Sequence, residues 1–405
     1  MDKSAATPVL WSKGFTYLLG VSVVNAIAFG TVNPIFPGFL VGLGATLTVA
    51  GLITGIFSYV ALAGRPLASI LGDRGNKKKM LMIFMTAHGL FTLLYAFAPD
   101  IAWVVPFRVA RGLAFSVAGT ISLALGTDYI PKARMGEGVG FLGVGQIIGM
   151  ALGPNIGIFL LGVFNDNYPP IFMIAGATIM VAGLSVAFLK YSRPVDDENA
   201  PRQKFSFKEM VAVELLPISL FASIFAIGNG LVVSFLVMMG QERNIANFGL
   251  YFIINAVVIL LIRPMAGRLT DRRGVAFVVL PGFIFAAAAM VTLGLAAATW
   301  HVILAALFVA FGGGIALPAL QTSCIQRLGP ARRTVAMGTF LIGMDIGMGG
   351  GPIIGGAIAD ATSFAVAFYS AAGLALVGFG AYFVYSAARR RGQVAAEISE
   401  NVNVS

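Results

Sequence analysis

Charge is what this chain has least of. Only 11% of its 405 residues are Asp, Glu, Lys or Arg, where a soluble domain carries about a quarter, so a water-exposed globular surface is excluded. The one cysteine, Cys324, falls inside an apolar run, and no intrachain disulfide frames the fold. His88, His301 and 17 scattered acids show no metal-ligand spacing. The glycine run at Gly312 to Gly314 follows no strand and is no phosphate loop. Neither metal, cofactor nor nucleotide is therefore expected. No nucleophile, base and oxyanion donors converge, which argues against an enzyme. A net charge of +10 would suit nucleic acid, but the basic residues are dealt out loop by loop rather than gathered in a patch.

What is abundant is apolar: 58% of the residues are hydrophobic. They fall in twelve runs, at about 15–41, 47–71, 80–98, 101–126, 137–163, 170–190, 215–239, 246–269, 275–298, 301–325, 335–360 and 363–387. At 1.5 Å per residue, such runs cross a hydrocarbon core of about 30 Å as helices, since lipid offers no partner to unpaired backbone groups. The first run follows Lys3 and Lys13 but is too long for a secretory signal and lacks an Ala-x-Ala site, so it reads as a retained span. One set of connections and termini holds Lys3, Lys13, Arg74, Lys77 to Lys79, Lys132, Arg134, Lys190, Arg272, Arg273, Arg327, Arg332, Arg333 and Arg389 to Arg391, whereas the opposite set holds Arg243 alone. The positive-inside rule then places both termini in the cytoplasm, in a cell membrane, and an even number of spans agrees.

The chain is also written twice. RPLASILGDR begins at Arg65 and RPMAGRLTDR at Arg263, an offset of 263 − 65 = 198. The same offset carries Gly30 to Gly228, Asp73 to Asp271, Gly149 to Gly347, Gly153 to Gly351, Pro154 to Pro352 and Gly157 to Gly355. Residues 1–190 and 215–387 are thus two six-helix bundles in parallel orientation, with a polar cytoplasmic linker at 191–214 and a cytoplasmic tail at 388–405. The expected fold class is an all-α membrane protein: twelve transmembrane helices in two pseudo-twofold-related bundles around a central gap.

GRLTDRRG at Gly267 to Gly274, with its looser copy SILGDRGNKK at Ser69, PFRVARGLAF at Pro106 and GMALGPNIG at Gly149 carry a resemblance. Over nearly its whole length the chain resembles the major facilitator superfamily, and most closely its twelve-span drug:proton antiporter branch. The resemblance implies a monomer that moves a small molecule and protons across the bilayer by alternating access. It implies that Asp73, Arg74, Asp128, Asp271 and Arg272 form a cytoplasmic gate, each carboxylate facing a helix N-terminus of the other half for a few tenths to about 1 kcal/mol. It associates the repeated motif of Gly149, Gly153, Pro154 and Gly157, and of Gly347, Gly351, Pro352 and Gly355, with export; glycines four apart let helices come close, here expected against the opposite half. Cavity-wall candidates are Asn25, Phe29, Asn33, Gln146, Asn229, Asn255 and Gln321.

Charges inside spans cost about 2.5–3.5 kcal/mol each and need a reason. Asp345 lies near the middle of the eleventh run, and Arg108 and Arg111 share one face of the fourth. Asp345, with Arg108 near it, is the expected proton carrier. Arg108, Arg111 and Asp345 are also expected to line the cavity. Many drug antiporters of this family have an acid in the first helix where this chain has Asn25 and Asn33, so an anionic or zwitterionic solute is favoured over a cation. The alternatives are a proton symporter importing an organic acid or sugar, and a non-transporting receptor on the same fold.

Overall fold

The computed structural model describes residues 10–404 apart from 75, 132–133, 192–210 and 330–331, so most of the expected linker lies outside the described residues. Its helices are α1 (Lys13–Val32), α2 (Phe36–Gly42), α3 (Leu47–Arg74), α4 (Lys77–Leu93), α5 (Ile101–Asp128), α6 (Met135–Val163) and α7 (Tyr168–Ser185) in the first half. In the second half they are α8 (Leu216–Glu242), α9 (Leu250–Arg273), α10 (Val275–Gly294), α11 (Thr299–Leu328), α12 (Arg333–Ala361) and α13 (Phe364–Val404). Together α1 and α2 make the first span, interrupted where Pro34 and Pro37 remove backbone donors.

Eleven spans are long and apolar enough to cross a membrane as they stand. The twelfth is α9, bent by 48° between Leu250–Arg263 and Met265–Arg273. The bend falls at the second Arg-Pro pair, where a proline in the chain leaves the carbonyl one turn earlier without its backbone donor. The last helix runs on through the tail expected at 388–405, whose Ala, Arg, Gln and Glu are good helix formers.

Helix neighbours repeat between the halves. The first span packs on α6 as α8 packs on α12; α3 packs on α5 as α9 on α11; α4 packs on α7 as α10 on α13. Between the halves, α3 meets α12 and α6 meets α9, each pairing the image of the other. Even the turns after the first spans correspond: Ala45 N donates to Leu40 O and Ile245 N to Gly240 O, around Gly44 and Asn244 in positive-φ conformations. The 198-residue repeat is thus a repeat of packing.

The glycine motifs pack within each half, which corrects the expectation that they face the opposite one. A Cβ at Gly153 would lie 2.6 Å from Gly30 Cα and 2.6 Å from Ile27 O, both on α1, and Gly351 abuts Ile227 O on α8. The opposite half is met by a different stripe of α12. There a Cβ at Gly349 would lie 2.9 Å from Gly55 O, one at Gly356 2.5 Å from Leu47 O, and Gly51 abuts Pro352 O. Helix positions 3.6 to a turn put the two stripes on different faces, which residue spacing alone does not assign to partners.

Across the α3–α12 contact, Asp360 accepts hydrogen bonds from Thr48 Oγ1 (2.6 Å), Leu47 N (3.3 Å) and Thr48 N (3.4 Å). Tyr59 OH donates to Ile346 O at 3.4 Å, and Arg65 meets Asp345. At 1.5 Å per residue this antiparallel seam runs about 25 Å from the face opposite the termini. Gln241 Nε2 to Asp166 Oδ1, 3.4 Å, adds a contact at that same face. Among the described residues, no hydrogen bond or ion pair joins the halves on the termini side of Arg65 and Asp345. Among the described residues, the hydrogen bonds between the bundles thus run from the far face inward as far as Arg65 and Asp345.

The two kinds of glycine contact should fail differently. Gly153→Val overpacks a seam inside one bundle and should destabilise the protein by about 2 kcal/mol, seen as a lower melting temperature in detergent. Gly51→Val meets its clash across the halves, so the bundles can relieve it by parting. In a Cys324→Ser background, a cysteine at Thr48 should label several-fold faster in Gly51→Val, with little change in melting temperature.

Candidate functional site

The innermost contact between the bundles is a charge pair. Arg65, on α3, donates from Nε to Asp345 Oδ2 at 2.7 Å and from Nη2 to Oδ1 at 3.1 Å, a bidentate fork across the two halves. The Arg65 side chain is 36% exposed and that of Asp345 16%. At that solvation the pair is worth on the order of 1 kcal/mol, which shifts a two-state equilibrium about fivefold rather than fixing it. It is a contact that can be broken in use. Sequence reasoning named both residues but could not pair them, because they stand 280 positions apart.

Arg108 and Arg111 are elsewhere, contrary to the expectation that they line the gap near Asp345. They are 2% and 0% exposed, inside the first bundle. Arg108 donates to Thr54 O (2.9 Å) and Ile53 O (3.3 Å), with its guanidinium carbon 4.1 Å from the Phe36 ring centroid and 4.6 Å from that of Phe57. Arg111 donates to Thr92 Oγ1 (2.9 Å) and Asn33 Oδ1 (3.5 Å) and lies 5.3–5.7 Å from the rings of Phe57, Phe29 and Tyr95. Among the described residues neither has a carboxylate partner, and aromatic faces replace it. The physical reason is the face of α5: residues three apart both turn toward α3 and α4 rather than toward the gap.

His88 is drawn into the same interior, 1% exposed, with Phe29 and Phe115 rings 6.2 Å and 5.4 Å away. Phe29 stacks on Phe115 at 4.5 Å.

Of the remaining candidates, Gln146 is exposed and Asn25, Asn229 and Gln321 are half-buried. Asn229 Nδ2 lies 3.6 Å from Met348 Sδ, and Gln321 Nε2 lies 3.2 Å from Met337 Sδ. Asn33 is taken by Arg111. Asn255 is 9% exposed and donates to Ala306 O at 3.2 Å, so it braces α9 on α11 within the second bundle and is not on the gap wall.

Of the expected gate, Asp128 accepts from Lys77 Nζ (3.0 and 3.1 Å) and Tyr191 OH (2.9 Å), all within the first half. The side chains of Asp73 and Arg74 lie outside the described residues, and Asp271 and Arg272 are exposed. The carboxylate that does meet a helix start of the other half is Asp360, at the far face, which sequence reasoning missed. Its signal was present in Thr46-Leu-Thr48, a capping pattern opening a span.

Two helical bundles joined along α3 and α12, in a chain with eleven or twelve membrane-length helices, have the architecture of membrane transporters built from parallel repeats. Comparison with known proteins narrows the class. The profile of the Major Facilitator Superfamily matches residues 18–246 and 218–402, and the chain belongs to that family. It is 26% identical over 416 residues to the multidrug resistance protein MdtG of Citrobacter koseri, covering 96% of this chain and 98% of that one. It is also 26% identical to MdtG of Enterobacter lignolyticus, over 97% and 96% of the two chains. Among solved structures, the nucleoside transporter NupG superposes with a TM-score of 0.74 at 14% identity, over 92% of this chain and 99% of that one. A bacterial homologue of the human lysosomal transporter Spinster gives 0.73 at 15%, over 94% and 98%.

An interior guanidinium without an acid costs several kcal/mol to desolvate, which cation–π contacts of about 0.5–2 kcal/mol offset in part. Arg108→Met, which packs in similar volume, should therefore melt at the same temperature or higher while transport falls at least tenfold. Loss of folding instead would make Arg108 a structural residue. Thermal melts and liposome uptake on the same preparation decide it.

Proposed function

We propose that this transporter exports a small organic compound in exchange for protons, and that Asp345 is the group over which they compete. The observation that carries the reading is the Arg65–Asp345 fork: the one acid deep between the bundles is held by the last contact that joins them. Protonation, or a basic group of a substrate placed on Asp345, removes the charge that holds Arg65 and frees the bundles to move. A carboxylate that can hold a proton or a base, but not both, gives exchange. An anionic substrate on Arg65 would instead leave Asp345 free to take up a proton, giving co-transport.

The sequence-based preference for an anionic or zwitterionic solute rested on Asn25 and Asn33 standing where related antiporters have an acid and on Arg108 and Arg111 facing the gap; burial of the two arginines removes the second support. With both arginines buried inside one bundle, a cationic or zwitterionic compound is the better electrostatic fit to Asp345. Export agrees with the multidrug resistance proteins that the chain resembles over nearly its full length. The basic residues of the termini face support placing that face in the cytoplasm. The repeat architecture forms one complete path per chain, consistent with a monomer.

The test is reconstitution into proteoliposomes with an imposed pH gradient, screening cationic, zwitterionic, anionic and neutral compounds. Asp345→Asn should abolish gradient-driven accumulation of basic compounds, at least tenfold, and weaken their exchange at equal pH as well, because proton and substrate share the carboxylate. Full gradient-driven transport in that variant would overturn the role of Asp345. Transport of anions moving with protons, and not of cations against them, would overturn exchange.

A further inference from the structure

A second polar cavity, of about 290 Å³, lies away from the gap, at the termini face of the second bundle. It forms where three span ends meet: the start of α10, the last turns of α11 and the end of the twelfth span near Arg389. Arg327 and Arg389 line it together with Ser323, Gln326 and Ser386, and none of its lining residues is acidic. Its volume corresponds to roughly ten waters at 30 Å³ each, too large for a single bridging solvent molecule.

Three observations give this space a sign. Arg327 is anchored through Nη1 to Tyr385 OH, with its guanidinium carbon 5.5 Å from that ring, while its Nε is buried with no hydrogen-bond partner. Gly274, Val275 and Ala276, the opening residues of α10, form part of the wall. That helix is 20 residues long and begins without a side-chain cap, so its first-turn amides and positive dipole end face the cavity uncompensated. Two guanidiniums, free amides and hydroxyl donors, without a carboxylate, make a site for a tetrahedral oxyanion. The span ends that build it also mark the depth of the lipid headgroups.

We propose that this cavity binds a phosphate group, carried by an anionic phospholipid headgroup or by a soluble phosphate compound. Arg327 and Arg389 supply charge, the α10 amides, Ser323 and Gln326 supply donors, and the site is independent of Asp345 and the gap. Occupancy would tie α10, α11 and α13 together at the membrane surface.

The full chain, purified in detergent and stripped of lipid, is titrated separately with phosphatidylglycerol, phosphatidylcholine and inorganic phosphate, with binding read by native mass spectrometry and thermal shift. Phosphatidylglycerol or phosphate should bind and raise the melting temperature, with an effect that falls as salt rises. Binding of the lipid alone assigns the headgroup source, binding of phosphate alone the soluble one. Arg389→Gln, and separately Ser386→Asp, which puts a repelling charge in the wall without touching the Arg327–Tyr385 contact, should each weaken binding at least tenfold while the unliganded protein stays folded. Failure of all three probes, equal binding of phosphatidylcholine and phosphatidylglycerol without phosphate binding, or unchanged affinity in both variants would overturn the proposal.

Discussion

The approach of α3 to α12 sets the scale on which the two halves of this protein meet. Where Gly51, Gly55, Gly349 and Gly356 leave no side chains between the helices, backbone lies against backbone, and short side-chain contacts can bridge the seam. Asp360 reaches the first amides of α3, Tyr59 reaches a carbonyl of α12, and Arg65 reaches Asp345. Bulkier residues would push the helices apart and lengthen all of these together. The charge pair at the inner end thus depends on glycines about 6 to 21 Å away along the same seam, at 1.5 Å per residue. Small residues bring helices close without adding strong attraction; the polar contacts add a bias of a few kcal/mol at most, as a reversible seam requires.

Against this shared scaffold the two halves carry different chemistry. Arg108 over Phe57 in the first bundle corresponds, at the same offset, to Ala306 and Asn255 in the second, where the amide of Asn255 bonds the Ala306 carbonyl. Arg111, His88 and Tyr95 correspond to Val309, Ala286 and Leu293. One bundle therefore encloses a cationic, aromatic interior and the other an apolar one. Arg65 has an acid across the seam, whereas Arg263, its image on α9, faces the α6 register where Ile147 stands in the place of Asp345. Packing repeats because it is set by glycine and proline positions; charge need not repeat, because function requires only one titratable centre on the path.

That division also explains what could be read in advance. Span number, the two bundles and their pairing follow from hydropathy and from the offset joining Arg65 to Arg263, since both are properties of local runs. Facing is harder. Gly149 and Gly153 announce a close helix contact but not that the partner is α1, and Arg108 and Arg111 announce a common face but not that it looks into the first bundle. A helix rotated by 100°, one residue's worth, exchanges interior for gap. Asp345 was visible as a charge needing a reason and Arg65 as the start of a repeated motif, yet 280 residues of chain separate them, and only the fold closes that distance. Asp360 was overlooked because a lone acid at a span end resembles any loop charge until a helix start from the other half is placed against it.

Asp360 also clarifies what a gate in this architecture amounts to. A carboxylate at a helix N-terminus satisfies orphan amides and the positive end of the helix dipole, for about 0.3–1 kcal/mol. When the carboxylate comes from the other bundle, that energy exists only while the face is closed. In this structure the contact is made at the far face, between Asp360 and the start of α3, while Asp271 at the termini face stands exposed. Two sets of contacts of comparable size at opposite faces would nearly cancel, leaving the closed-outside and closed-inside arrangements within reach of each other. The pair at Arg65 and Asp345, placed between the two faces and worth about as much as either, is then sufficient to tip the balance when it is broken.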